Sequence, residues 1–339
     1  HMALDAKRKE KLEFMCSLEK GDVISAPNVE SVYEVPVNFE KDGVSDRILR
    51  KLKLRPRRRD LADWNRLVNR IRSAKRALRI GIVGKYFGTG EFVLEDSYIS
   101  VIEAIKHAAY ARGRKPAIEW IAAEEFEKNP QRIKKLSSYG GIIVPGGFGD
   151  RGVEGKISAI RYCREKKIPY FGLCYGMQLA TVEFARHVAG LADANTTEID
   201  PKTAYPVIDI LPEQRKNLAK KNYGATMRLG SYPAILRKGT SAHAAYASGI
   251  RHPKSDIRIS ERHRHRYEVN PEYIERLEKA GLVFSGSSPD RRLMEIAELP
   301  RDQHPFFLGT QFHPELKSRP LSPHPLFVEF IKAATVRTR

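Results

Sequence analysis

Residues 168–178 read Ile-Pro-Tyr-Phe-Gly-Leu-Cys-Tyr-Gly-Met-Gln. The apolar run Ile168–Leu173 ends on Cys174, and a helical pattern follows it to about Val188. Gly172 and Gly176 stand two residues on either side of the cysteine. This is the spacing of a nucleophile elbow with Cys in place of Ser, a tight strand-to-helix turn that holds the sulfur out at the top of a sheet. Side chains at the two glycines would strike the strand and the helix. The positive end of the helix dipole behind the sulfur favours its anionic form.

Outward from the elbow, short apolar runs alternate with helical patterns. Leu78–Val83, Ala117–Ile121 and Gly141–Val144 read as strands. Tyr98, Val101, Ile102, Ile105 and Ala109 share one helical face, with Asp96 as the predicted cap. Near-continuous apolar strands alternating with helices predict an α/β fold with a mostly parallel central sheet and helices on both faces. Sites in such sheets form at the carboxyl ends of strands.

A thiol nucleophile needs a base, and the base needs an orienting group. Gln311-Phe312-His313-Pro314-Glu315 follows the apolar run Phe306–Leu308, so His313 is expected at a strand end. Glu315 then fixes the imidazole tautomer while His313 takes and returns the proton. Pro145-Gly146-Gly147-Phe148-Gly149 ends another strand, and its backbone N–H groups, with that of Tyr175, are natural oxyanion donors. Cys16 and Cys163 have no such setting and read as structural. His263 and His265 alternate on one strand face without a cysteine or carboxylate partner, so no metal is expected.

The chain has 339 residues, 41% of them apolar, and a formal charge of +19. That apolar fraction supports a real core and excludes a disordered or collagen-like chain. There is no run of about 18 apolar residues to span a membrane, and residues 2–20 are charged throughout. Three cysteines are too few for a disulfide framework, which points to a reducing, cytoplasmic setting. Residues 47–79 carry a net +12, from fourteen Lys/Arg against Asp60 and Asp63. A nucleic-acid footprint is one reading of such a stretch. With only Trp64 to stack on bases, nucleic acid is not the expected partner, and a solvated linker or surface helix is the plainer reading.

Ahead of the alternating region, Val32–Val37 alternates and reads as a strand ending near Pro36. Residues 46–54 read as a short amphipathic helix and residues 60–76 as a polar one. The organisation expected is a short N-terminal piece over 3–52, a basic linker over 53–77 and the α/β domain over 78–336.

PGGFG, then GLCYGMQ, then FHPE, in that order, resemble the class I (triad) glutamine amidotransferase family, whose architecture is flavodoxin-like. Further matches point to its CTP synthase branch: Val83–Tyr86, Asp96–Ser100, Pro145–Lys156, Ala194–Glu198, Gly224–Gly230, Glu261–Asn270 and His324–Phe327. Val23–Pro36 resembles the closing segment of that branch's amidoligase domain. No Walker-type glycine loop occurs in the chain, so the expectation is a fragment whose ATP- and UTP-binding ligase half lies ahead of residue 1.

The resemblance implies that Cys174 is the nucleophile, His313 the base and acid, and Glu315 its partner. Gly147 and Tyr175 contribute backbone contacts to the oxyanion or substrate. Gln178, Glu198 and Arg266 hold L-glutamine, and Arg151, Gly152 and Glu154 match a loop that responds to the allosteric activator GTP. The resemblance places ATP and Mg in the ligase half, with the amidoligase domain as partner and homo-oligomers only in the full-length form. Departures are Tyr175 after the cysteine, a long connection at 87–95 and an unusual 239–257. The rival readings are another class I amidotransferase, a γ-glutamyl hydrolase, or a catalytically idle basic binding module.

Overall fold

Val32–Val37 is helical, not extended, in the computed structural model of the chain, which describes residues 2–56, 60–85, 98–210, 227–248 and 255–338. The chain divides into two compact units, residues 1–73 and 74–339. The first contains helices α1 (Ala6–Met15), α2 (Val35–Lys41), α3 (Val44–Lys51) and α4 (Ala62–Ser73). Ser31 Oγ accepts the N–H of Tyr33 and opens a 3₁₀ turn, Val32–Glu34, that runs straight into α2. Pro36 falls in the first turn of α2, where its missing N–H has no helical partner to lose. That position makes Pro36 a helix starter instead of the strand terminator expected of it.

The amphipathic helix expected over 46–54 is α3, and the polar helix within 60–76 is α4. The α4 side chains reach back within this unit. Trp64 Nε1 donates to the Tyr33 carbonyl at 2.7 Å, and Arg72 pairs with both Glu34 oxygens at 2.9 Å. The stretch 53–77 therefore contains a helix bonded to the residues that precede α2.

Among the described residues, the second unit is built on a nine-stranded sheet and a three-stranded one. The strands are β1 (Ala77–Gly84), β2 (Lys115–Ala122), β3 (Gly141–Val144), β4 (Tyr170–Leu173), β5 (Ala194–Thr196), β6 (Tyr205–Ile210), β7 (Arg228–Leu236), β8 (Ile257–His265), β9 (Tyr267–Val269), β10 (Val283–Ser287), β11 (Met294–Glu298) and β12 (Phe307–Thr310). The large sheet runs β2-β1-β3-β4-β12-β11-β10-β7-β8, and the small one β5-β6-β9. The first five strands are parallel, in the flavodoxin-like order. From β12 onward each neighbour is antiparallel.

Helices of this unit are α5 (Ile99–Ala111), α6 (Glu124–Lys128), α7 (Val153–Glu165), α8 (Tyr175–His187), α9 (Ser241–Ala247), α10 (Pro271–Lys279) and α11 (Pro325–Arg337). Each face of the parallel strands has its own apolar cluster. Ile142 and Tyr170 meet Ile157 and Ile160 of α7 and Leu179 of α8 on one side. Ile143 and Phe171 meet Ile105 of α5 and Phe327 and Phe330 of α11 on the other. Successive strand residues point to opposite faces, so a fully buried strand must be apolar at every position. Asp96 and the connection 87–95 lie outside the described residues, as do residues 249–254 of the unusual stretch. No helix among the described residues is long and apolar enough to cross a membrane.

Candidate active site

Strand register brings the three motifs level. Thr310 of β12 pairs with Leu173 of β4, and Gly172 of β4 pairs with Val144 of β3. The residues just beyond each strand, Pro145–Gly146, Cys174 and Gln311–His313, therefore emerge side by side at one carboxyl edge.

Cys174 is 5% exposed and has φ +50° and ψ −99°, a left-handed conformation unusual for a side-chain-bearing residue. Its N–H donates to the Thr310 carbonyl at 2.6 Å, which ties the elbow to β12. A Cβ on Gly176 would lie 2.2 Å from the Val144 carbonyl oxygen, and one on Gly172 would lie 2.6 Å from the Tyr170 hydroxyl. Both elbow glycines are thus required by close approach, as their spacing predicts.

His313 is fixed from two sides. Its N–H donates to the Arg262 carbonyl at 2.8 Å, and its Nδ1 lies 2.7 Å from Glu315 Oε1. Glu315 Oε1 is the acceptor in this pair, so Nδ1 carries the proton and Nε2 is left as the basic nitrogen. Nε2 is buried without a hydrogen-bond partner among the described residues. Burial depresses the basicity of His313, but the Cys174 sulfur and the Glu315 carboxylate outweigh it and raise its pKa to about 10. Both neighbours thus favour the protonated form of the ring. Gly146 lies against this ring, and a Cβ there would come within 2.9 Å of His313 Cε1. Its need for glycine was not visible from the motif, because the histidine that crowds it is remote in sequence.

Gly147 and Tyr175, the expected oxyanion donors, lie against each other, a Cβ on Gly147 coming within 3.7 Å of the Tyr175 ring. The Tyr175 N–H is in the first turn of α8, where no helical acceptor exists. Its ring is buried and its hydroxyl donates to the Gly149 carbonyl at 2.7 Å, so the bulky residue after the cysteine is tied into the glycine-rich loop.

Glu198 follows β5, and Arg266 sits where the chain leaves β8 of the large sheet for β9 of the small one. The small sheet thus places an acid and a base near the elbow. Glu198 Oε1 accepts the Gly149 N–H at 2.8 Å. Burial raises the Glu198 pKa, opposed by that hydrogen bond and by Lys85 and Arg266. Gln178 is turned inward instead of lying open to the site. Its Nε2 donates to the Tyr267 carbonyl at 2.9 Å and to Gln311 Oε1 at 3.2 Å.

Arg151 Nε pairs with Glu124 at 2.7 Å, and Glu154 accepts from Arg186 at 3.0 and 2.9 Å. Gly152 caps α7 with φ +71°. These three residues line the loop after Gly149 and do not touch the Cys174–His313–Glu315 group. His263 and His265 are buried beneath the site, 2.9 Å apart from Nδ1 to Nε2. Burial, with Arg228 nearby, drives the pKa of His263 down to about 3, and burial lowers that of His265 as well. Among the described residues no group of three His, Cys, Asp or Glu is arranged to hold a metal ion.

A buried thiol at a helix N-terminus beside a carboxylate-paired histidine can carry out acyl transfer from a carboxamide. The family model "Glutamine amidotransferase class-I" matches residues 93–333. The chain belongs to that family. A second model, "CTP synthase N-terminus", matches residues 1–54 of this amidotransferase chain. CTP synthase of Carboxydothermus hydrogenoformans is 51% identical over 96% of the chain, and that of Methanocaldococcus jannaschii 48% identical over 98%. The chain spans 57% and 59% of those two proteins. Among solved structures, the glutaminase domain of Trypanosoma brucei CTPS, with bound acivicin, is 36% identical with a TM-score of 0.67. That match covers 76% of this amidotransferase and 94% of the solved chain.

Proposed function

We propose that this chain hydrolyses L-glutamine to glutamate and ammonia, as the glutaminase portion of a CTP synthase. The observation that carries the reading is the elbow cysteine held level with the His313–Glu315 pair by the β4–β12 register. The Cys174 thiolate adds to the side-chain amide carbon, and the oxyanion is received by the N–H groups of Gly147 and Tyr175. His313 gives its proton to the departing nitrogen, the C–N bond breaks, and ammonia leaves a glutamyl thioester. Neutral His313 then takes a proton from water. The hydroxide adds, the C–S bond breaks with its electron pair on sulfur, and glutamate departs. Glu198 receives the substrate's ammonium and Arg266 its carboxylate, a pairing suited to charge-assisted hydrogen bonds. Gln178 supports the site from beneath, its amide held by Tyr267 and Gln311.

In the whole protein the ammonia aminates UTP to CTP with ATP and Mg supplied by the amidoligase region. Residues 3–52 are the end of that region, 53–77 its connection and 78–336 the amidotransferase. GTP activation acts through Arg151, Gly152 and Glu154. Because Arg151 and Glu154 already hold Glu124 and Arg186, the nucleotide works by exchanging those partners. Full-length protein forms homo-oligomers in the cytoplasm.

Glutamate release by wild type and Cys174→Ala, with and without GTP, tests the reading. Release by wild type alone supports it. No release by either protein, even with GTP, leaves the basic-module reading in its place.

A further inference from the structure

Gln311 is 0% exposed, and its Nε2 lies 3.7 Å from Cys174 Sγ, within reach of an N–H···S hydrogen bond. Its backbone is anchored by the N–H donating to the Glu295 carbonyl at 2.8 Å. The orientation of its amide follows from its partners. The Tyr267 carbonyl only accepts, so the group of Gln178 that faces it at 2.9 Å is the NH₂. The second hydrogen of that NH₂ goes to Gln311 at 3.2 Å, so Gln311 presents its carbonyl there. Gln311 must then turn its own NH₂ toward sulfur. A flip of either amide would set NH₂ against NH₂ or carbonyl against carbonyl inside the protein, an arrangement with a large desolvation cost.

We propose that Gln311 is a further catalytic residue, an N–H donor to the Cys174 sulfur, and that Gln178 is a positioning residue that fixes the polarity of its amide. The proposal rests on Cys174 being the nucleophile, as in the reaction above. Sulfur is negative when it attacks and again when the C–S bond of the thioester breaks, and a fixed donor stabilises it at both points. A hydrogen bond to a charged group is worth about twice a neutral one. The Arg264 carbonyl, 4.0 Å from Sγ, serves the neutral thiol as acceptor. The sulfur thus sits between an acceptor for S–H and a donor for S⁻.

The test is the rate at which iodoacetamide alkylates Cys174 from pH 6 to pH 11, read by peptide mass so that exposed Cys16 and buried Cys163 are separated. This readout needs no glutamine, so its failure is distinct from absence of glutaminase activity. Gln311→Met keeps the length without the donor. The expected result is roughly tenfold slower alkylation at pH 7, the size of one charge-assisted hydrogen bond, with the gap closing by pH 11. Gln178→Met gives a similar slowing, and the double variant is no slower than Gln311→Met. Equal rates for Gln311→Met and wild type at pH 7, or a gap that persists unchanged to pH 11, overturn the proposal. Should Gln311→Met not fold, the Gln311 side-chain amide resonance in wild type replaces it. That resonance should move when Cys174 is alkylated, and an unmoved resonance overturns the proposal.

Discussion

His313 Nδ1 and Glu315 Oε1 lie 2.7 Å apart, two residues removed in sequence. The short 3₁₀ turn Pro314–Lys317 folds the carboxylate back onto the imidazole. The pair fixes the tautomer, and with the cysteine sulfur it keeps the ring protonated despite its burial. Glu315→Gln preserves shape but removes the charge and permits the wrong tautomer. Glutamine hydrolysis should fall by roughly 10²- to 10⁴-fold, in kcat more than in KM. A steady-state comparison showing less than a threefold loss would contradict this role.

The raised pKa of His313 also has a stability signature. Its folded value, about 10, lies above the ordinary histidine value of 6.5, so the folded state binds the proton more tightly than the unfolded chain. The resulting stabilisation is complete below about pH 6.5 and is lost progressively as pH rises to about 10. Urea unfolding of wild type and His313→Gln should differ most at pH 6 and converge by pH 10. A difference that stays constant over that range would be inconsistent with the shift.

Gly146 and Gly176 make opposite predictions. Gly176→Ala drives a methyl group to 2.2 Å from the Val144 backbone oxygen, with no side chain to move aside. It should cost about 3 kcal/mol or more in unfolding free energy. Gly146→Ala meets only the edge of the His313 ring at 2.9 Å. The fold should persist with Tm within a few degrees, while displacement of the ring lowers kcat by about 10²-fold. Thermal melts and kinetics on both variants check the contrast.

The motifs were legible because their chemistry is local. Elbow glycines, a Pro-Gly-Gly strand end and a His-Pro-Glu run each fold under short-range constraint. What lay beyond reading is set by register and by contacts between distant segments. The alternation of Val32–Val37 suggested a strand, but Ser31 and Pro36 together form a helix start that outweighs it. The parallel half of the sheet followed from apolar runs, whereas β7, β8, β10 and β11 have mixed polar faces and no single signal. The Gln178 contacts to Tyr267 and Gln311, 89 and 133 residues away, depend on where β9 and β12 end.

Glu198 contributes a second pH dependence. Burial holds its pKa above the usual carboxylate value, so it protonates earlier than a surface glutamate as pH falls. In the proposed reading its carboxylate receives the substrate ammonium, so KM for glutamine should rise as pH drops through the region just above ordinary carboxylate titration. Glu198→Gln should raise KM roughly tenfold to a hundredfold at neutral pH and flatten that dependence, since a lost charged hydrogen bond is worth about 1.5–3 kcal/mol. An unchanged KM in this variant would remove Glu198 from the substrate site.

The central claim is that Cys174 is the group that attacks glutamine. It is tested most directly by treating the purified chain with a glutamine-like electrophile, such as an amino-acid chloroketone of glutamine length, and mapping the adduct by peptide mass spectrometry. The account predicts a single adduct on Cys174, suppressed by excess glutamine and absent in Cys174→Ala. Labelling of Cys16 or Cys163 with Cys174 left free, or labelling that glutamine does not suppress, would contradict it.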